Sequence, residues 1–402
     1  MGGNAVSFVT DRIPLNDVLS LDLDKEQVNP SGLYEMVGVL SYGKGLFNKD
    51  EVCGNATSYK TFYKLNEKHI VMSQLFGWEG AIALSNMEFH GKYVSSQFPT
   101  FTVDESRLDR EFLGWWLKQP KVWAELKSKS KGMGDRRRTL NPNALLTCEI
   151  DLPDIDTQRK IVEKISAVAR KVNQLISLRD SVSENFKQLL ISMAHRPDLN
   201  ESEKIEAGWK YISLSNILEK HVEAITVQPD KEYKHFGIYS FSKGLFRKPP
   251  LIGETIKATK LYKTKRDLFI YGRLNAYEGA FGYITDEYDG GHVSNEFPMF
   301  ECNPELVLPQ FLVAYFSSPF VWENLKRKVT GIGGGAGNRR IRLKEIDLLS
   351  EHIWLPPLDW QFKIKELVQT RQDDQIQLLA ADKQVEALMP SILDKAFKGE
   401  LV

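Results

Sequence analysis

From Ile161 onward the apolar residues step by four and three: Ile161, Ile165, Val168, Val172, Leu175, then Val182, Phe186, Leu189 and Met193. A mean step of 3.5 keeps one stripe on one helix face, the seam of a coiled coil. The pattern returns near the C-terminus as Ile364, Val368, Leu378, Val385, Met389, Ile392 and Ala396. Each stretch predicts a helix of about 38 residues, or about 57 Å at 1.5 Å per residue. Pro153 and Pro356 stand just upstream, and Asp156 and Asp359 precede or open the two helices, where a carboxylate suits the free N–H groups and the dipole. Two such helices in one chain are expected to pair with each other. Arg179, Arg371, Gln375 and Asp382 interrupt the seam. Either these positions face solvent or a partner, or Arg179 meets Asp382 where an antiparallel pair crosses, fixing register more than adding stability.

Elsewhere the pattern is shorter and mixed, and it predicts an α+β class. Tyr34–Leu40, His69–Ser73, Ala81–Ser85 and Leu268–Gly272 read as strands, punctuated by Gly, Asn and Asp. Leu108–Lys131 and Leu306–Val329 read as helices, with Phe112, Trp115, Trp116 and Trp123 at helical spacing and expected in the core. His195-Arg196-Pro197-Asp198 breaks the first long helix, leaving Ala194–Gly208 as a linker.

The chain is also an internal duplication. At a shift of 199 residues, Gly43-Lys44-Gly45-Leu46-Phe47-Asn48-Lys49 falls on Ser242-Lys243-Gly244-Leu245-Phe246-Arg247-Lys248. Trp78-Glu79-Gly80-Ala81 falls on Tyr277-Glu278-Gly279-Ala280, and Val94 to Pro99 on Val293 to Pro298. The second copy gains four residues in a glycine-rich loop; beyond it the shift is 203, and Leu152-Pro153 falls on Leu355-Pro356.

With 402 residues, 42% apolar and 11% aromatic, the chain is long and apolar enough for two or three folded domains. Cys53, Cys148 and Cys302 are few and far apart, which argues against a disulfide scaffold or a structural zinc site. No HExxH, no P-loop and no Asn-Pro-Pro-Tyr motif occurs. Gly331 to Ala336 fits GxGxxA without a βαβ setting, and the ExK triplets at Glu125 and Glu232 are not reproduced in the other copy. No catalytic residues and no metal site are assigned. The polar N-terminus and the lack of a long apolar run predict a cytoplasmic chain without a membrane partner.

Formal net charge is zero, from 53 Lys+Arg and 53 Asp+Glu, which by itself argues against a nucleic-acid binder. The distribution argues otherwise. Lys127 to Arg138 holds six basic residues and one acid; Lys326 to Lys344 holds seven and none. Both clusters sit at the same point of the repeat. Phosphates are met by such side chains and by loop N–H groups. Either these are solvated charged loops, or they bind DNA through Lys131, Arg136, Arg137 and Arg138 in one copy and Arg339, Arg340 and Arg342 in the other. Lys44, Lys49 and Lys64 recur as Lys243, Lys248 and Lys263. Gln74, Phe76, Tyr93 and Gln97 instead become Arg273, Asn275, His292 and Glu296. Arg, Asn, Gln and His are residues that read base edges, so Gln74, Gln97, Arg273, Asn275 and His292 are candidate readers, with surface drift as the alternative.

Leu152-Pro153-Asp154-Ile155-Asp156-Thr157-Gln158, Leu355-Pro356-Pro357-Leu358-Asp359-Trp360-Gln361, Gly334 to Arg340 and the ending Met389 to Leu401 together resemble the specificity subunits of type I restriction-modification systems. The resemblance implies two target-recognition domains (1–152 and 197–355) separated by two long antiparallel coiled-coil helices (153–196 and 356–402), with pseudo-twofold symmetry. It implies a non-catalytic subunit reading a bipartite site in double-stranded DNA. Its partners would be two modification subunits holding S-adenosylmethionine, with restriction (motor-nuclease) subunits joining for cleavage. No cofactor is expected on this chain. A stand-alone DNA-modifying or DNA-cutting enzyme and a coiled-coil scaffold without DNA are the competing readings.

Overall fold

The structure, a computed structural model, describes residues 10–132, 138–330 and 342–401. It divides into two compact units, one of residues 1–176 with 380–402 and one of residues 177–379. This division cuts across the boundaries expected from sequence. The long helices run Ile155–His195 and Leu358–Phe397, and each unit takes one half of each.

In the first unit a four-stranded sheet has the order Ile82–Leu84, Ile70–Met72, Thr100–Val103, Leu19–Leu21. A three-stranded sheet has the order Tyr93–Ser95, Thr61–Lys64, Lys25–Gln27. The second unit repeats both, as Phe281–Tyr283, Phe269–Tyr271, Met299–Cys302, Leu218–His221 and as His292–Val293, Lys260–Lys263, Ala224–Thr226. Asp11–Pro14 pairs with Glu149–Leu152 starting from Asp11 opposite Leu152, and Lys210–Ser213 pairs with His352–Leu355 starting from Lys210 opposite Leu355. The duplication in sequence is therefore a duplication of fold, down to strand register. Ile70, Val71 and Met72 are fully buried, which is why that strand reads as an uninterrupted apolar run rather than an alternating one.

Each helix predicted at Leu108–Lys131 and Leu306–Val329 is in fact two, Arg110–Trp116 with Pro120–Lys129 and Pro309–Tyr315 with Pro319–Thr330. Pro120 and Pro319 lack the N–H a helix interior needs and are accommodated in a first turn. Phe112 and Trp116 are buried in the core as expected; Trp115 and Trp123 are partly exposed.

The two halves of the long helices run antiparallel within each unit. In the first, Ile161 and Ile165 share a core with Leu393 and Ala396, and Phe112 packs on Phe397 with ring centroids 4.9 Å apart. In the second, Leu190 and Ala194 share a core with Ile364 and Val368, and the Trp360 indole donates to the Met193 carbonyl at 2.9 Å. Arg371, read as an interruption of the seam, donates to Ser183 Oγ at 2.8 Å and lies over the Phe186 ring.

The seam is not buried along its length. Val172 is buried and Val168 half-buried, whereas Leu175, Val182 and Leu189 are exposed, at 57%, 66% and 46%. Near the helix end Leu190, one position on, is buried instead of Leu189. A 3.6-residue helix drifts about 20° per heptad from a 3.5 pattern, and the buried stripe follows what each core presents. Val385, Met389 and Ile392 are half-buried. The Leu378 and Asp382 side chains lie outside those described, and Arg179 makes an ion pair with Asp180 at 3.1 Å.

The Leu-Pro…Gln motifs acquire a physical role. Gln158 and Gln361 are fully buried. Gln158 donates to the carbonyls of Pro153 (2.7 Å) and Arg107 (2.9 Å) and accepts from the Asp109 N–H (2.7 Å). Gln361 does the same with Pro356, Leu306 and Leu308, each at 2.8 Å. One amide thus ties the start of each long helix to the segment before the Arg110–Trp116 or Pro309–Tyr315 helix, leaving none of its partners unpaired. After His195 the backbone turns at Arg196 (φ +43°), and Asn200 caps a short helix, Glu201–Glu206, that the sequence pattern did not predict.

Candidate nucleic-acid interface

In the first unit the basic run enters on the helix Pro120–Lys129 and closes where Lys131 and Thr139 exchange backbone hydrogen bonds of 3.0 and 2.8 Å. Arg136 and Arg137 lie outside the described residues, as do Arg339 and Arg340 and the glycine-rich stretch before them. Arg138 donates to Ser130 Oγ at 3.1 Å. Its guanidinium lies 6.0 Å from the Trp78 ring centre, and the Lys127 ammonium lies 5.1 Å from it. The indole thus holds two cations at the neck of the loop.

The base of this loop is joined to the divergent positions. Leu140 N–H donates to the Gln74 carbonyl (2.7 Å), and Gln74 N–H to that of Gln97 (2.9 Å). The second unit repeats the chain of bonds as Leu343 to Arg273 (3.0 Å) and Arg273 to Glu296 (2.9 Å). In each unit the backbone just after the basic run is thus bonded to the segments that carry Gln74 and Gln97, or Arg273 and Glu296. Their side chains differ. Arg342 makes an ion pair with Glu296 at 3.1 Å, and Arg273 with Glu345, which also holds Lys220 at 2.9 Å. Burial raises the Glu345 pKa, and the hydrogen bonds from Lys220 and Arg273 lower it by more, so the carboxyl stays below its usual range. Asn275 is exposed and donates to Ser240 Oγ at 3.2 Å.

Other candidates fall elsewhere. Lys49 and Lys248 lie over the rings of Phe47 and Phe246, at 5.8 and 5.6 Å; Lys49 also lies 5.1 Å from Phe98. Lys64 and Lys263 sit opposite Tyr93 and His292 in the three-stranded sheets, and Lys263 is paired with Glu223 at 3.5 Å. His292 packs edge-on against Tyr233 at 5.2 Å, as Tyr93 does against Tyr34 at 5.0 Å. Its pKa is lowered, chiefly by burial.

Several features were not read from sequence. The first unit has a cleft of about 400 Å³ between Lys49, Tyr59, Leu75, Phe76, Gln97 and Phe98. Two candidates, Lys49 and Gln97, stand on its wall, and Leu75 and Phe76 are exposed. The Glu296–Arg342 pair was legible in principle: the first copy has Gln97 and Thr139 at those positions, so both charges arise together. A further duplicated feature is the hairpin tip. Lys44 and Lys243 are exposed at the ends of loops whose preceding residues, Tyr42 and Phe241, have φ of +62°.

Among the described residues no three acidic, His or Cys groups are placed to hold a metal ion, and no helix is long and apolar enough to cross a membrane. Glu125, of one ExK triplet, makes an ion pair with Lys129 at 2.8 Å.

Residues 13–179 match the family described as the type I restriction modification DNA specificity domain. A structure reported under complex assembly and conformational transition of the type I R-M system is similar at a TM-score of 0.59 and 18% identity, over 97% of this chain and 98% of that one. The HsdS subunit from Thermoanaerobacter tengcongensis matches at 0.44 and 17% identity, covering 98% of this chain and 97% of that one. The S subunit from M. genitalium matches at 0.49 and 13%, over 99% and 97%. No curated protein matches the sequence.

Proposed function

We propose, from the premise that residues 13–179 are a type I restriction modification DNA specificity domain and that the second unit repeats its fold, that this chain is the DNA specificity subunit of such a system. One unit reads each half of a bipartite site in double-stranded DNA. The observation that carries this is the repeated backbone bonding where the basic run ends. In both units the same backbone bonds join a basic loop to two neighbouring segments, while the side chains there differ, Gln74 and Gln97 against Arg273 and Glu296. A shared dock with divergent readers suits two half-sites of different sequence.

The chain itself is non-catalytic on this reading. Two modification subunits bind it and bring S-adenosylmethionine, and restriction subunits join them for cleavage. They work together in the cytoplasm. The adenine to be methylated leaves the stack into the partner's pocket, not into this chain. Methylation mapping of a host genome with and without this chain tests the proposal. A bipartite methylated motif present only with the chain is expected; an unchanged methylation pattern would reject it. Methylation by the purified chain alone would favour a stand-alone enzyme. Absence of salt-dependent duplex binding by the assembled complex would favour a scaffold.

A further inference from the structure

Each unit carries a hairpin, Val37–Leu40 with Gly45–Asn48 in the first and Phe236–Ile238 with Leu245–Arg247 in the second. Tyr42 and Gly43 at one tip have φ of +62° and +65°; Phe241 and Ser242 at the other have +62° and +55°. Tight hairpin turns with two left-handed residues favour Asn and Gly, and a bulky side chain there is an outlier. Yet an aromatic stands at the first position in both units.

Each tip is held in the same way. Tyr42 N–H donates to the Glu79 carbonyl (2.8 Å) and Gly43 N–H to that of Gly80 (3.0 Å). Phe241 and Ser242 donate to the carbonyls of Glu278 and Gly279. The ring edges rest on Trp123 (6.0 Å) and Trp322 (6.2 Å). Tyr42 and Phe241 nonetheless remain 59% and 54% exposed, so this packing does not account for them.

Beside each tip a carboxylate accepts from the serine that precedes the aromatic, Glu79 from Ser41 (3.3 Å) and Glu278 from Ser240 (2.9 Å), and lysines stand nearby. Lys44 and Lys243 follow within the tips and are exposed. In the first unit the Lys118 stem lies beside Gly43; in the second the Lys187 ammonium lies 5.4 Å from the centre of the Trp322 ring that seats Phe241. The same Trp-Glu-Gly-Ala turn that anchors Tyr42 carries Trp78, which holds Lys127 and Arg138 of the basic loop. An aromatic two positions before a Lys-Gly-Leu-Phe run recurs in both copies, whereas Gln74 and Gln97 become Arg273 and Glu296, so the tip suits something that does not change between half-sites.

We propose that Tyr42 and Phe241 are matched, sequence-independent DNA contacts, each ring lying against deoxyribose or a base face while Lys44 or Lys243 meets a neighbouring phosphate. This rests on the DNA-specificity reading above.

The test uses the full chain assembled with its modification subunits. Y42N, F241N and the double variant are compared with wild type, with K44A/K243A alongside. Asn suits a left-handed tip, so thermal stability is expected to hold or rise. Assembly, read by size-exclusion chromatography, should be unchanged. Affinity for a duplex carrying the mapped motif and for a random duplex should fall together, by about tenfold or more in the double variant, with the methylated motif unaltered. K44A/K243A should lower the salt slope of log K by about 2. Unchanged affinity in a wild-type complex that binds DNA would overturn the proposal. So would loss of assembly, which would make the tips a docking point for the modification subunit. A wild-type complex that binds neither duplex would reject the DNA reading itself.

Discussion

Glu296 and Arg342 show how one polar position acquires meaning only with its partner. Their ion pair holds the guanidinium at the loop base, while Gln97 and Thr139 leave the first unit without either charge. E296A should free Arg342 and change bases read in the second half-site only; methylation mapping checks this, and a change in the first half-site would contradict it. Gln158 and Gln361 are a separate case. Q158L or Q361L strands two carbonyls and one N–H in the interior, at a cost of about 3 kcal/mol, visible as a lowered denaturation midpoint. Gly80 and Gly279 have φ of +78° and lie under Trp123 and Trp322, so a Cβ would overlap the indoles; G80A and G279A should destabilise by about 1–3 kcal/mol. His195 stacks on Tyr315 and bonds the Tyr315 carbonyl at 2.9 Å. Burial lowers its pKa, so the folded state favours the neutral ring. The stability it contributes is complete above the unfolded value near 6.5 and is lost as pH falls through the folded pKa. H195Q should flatten that part of the stability–pH curve, measured by urea unfolding.

At the scale of elements, the long helices were plain in the sequence because a repeat of four and three is local. Their observed lengths, 41 and 40 residues, come close to the expectation. The burial of the stripe was less legible. Leu175 and Leu189 fit the seam as well as Ile165 does, yet only Ile165 is buried, since burial depends on what lies opposite and not on spacing. The same limit applies to Leu108–Lys131, where aromatic spacing predicted one helix and Pro120 opens a second. On the proposed function, deleting one heptad from each long helix shortens it by about 10.5 Å, equal to about three base pairs. The spacer between half-sites should shorten accordingly in methylation maps; an unchanged spacer would mean the helices do not set it.

For the whole molecule, the zero net charge is an average that hides two runs of sequence rich in Lys and Arg, one in each copy. The sequence alone determined the duplication, since residues such as Lys44, Glu79 and Phe98 recur at one fixed shift. It also determined the two long helices and the two basic runs, all carried by neighbouring residues along the chain. Only the tertiary structure decided that each compact unit combines one half of each long helix, that Gln158 satisfies backbone groups about fifty residues away, and that Arg273 and Arg342 are held by carboxylates. The reason is physical. Helical periodicity and charge density are properties of adjacent residues, whereas antiparallel pairing, buried hydrogen bonds and ion pairs join residues that only the folded chain brings within a few ångströms.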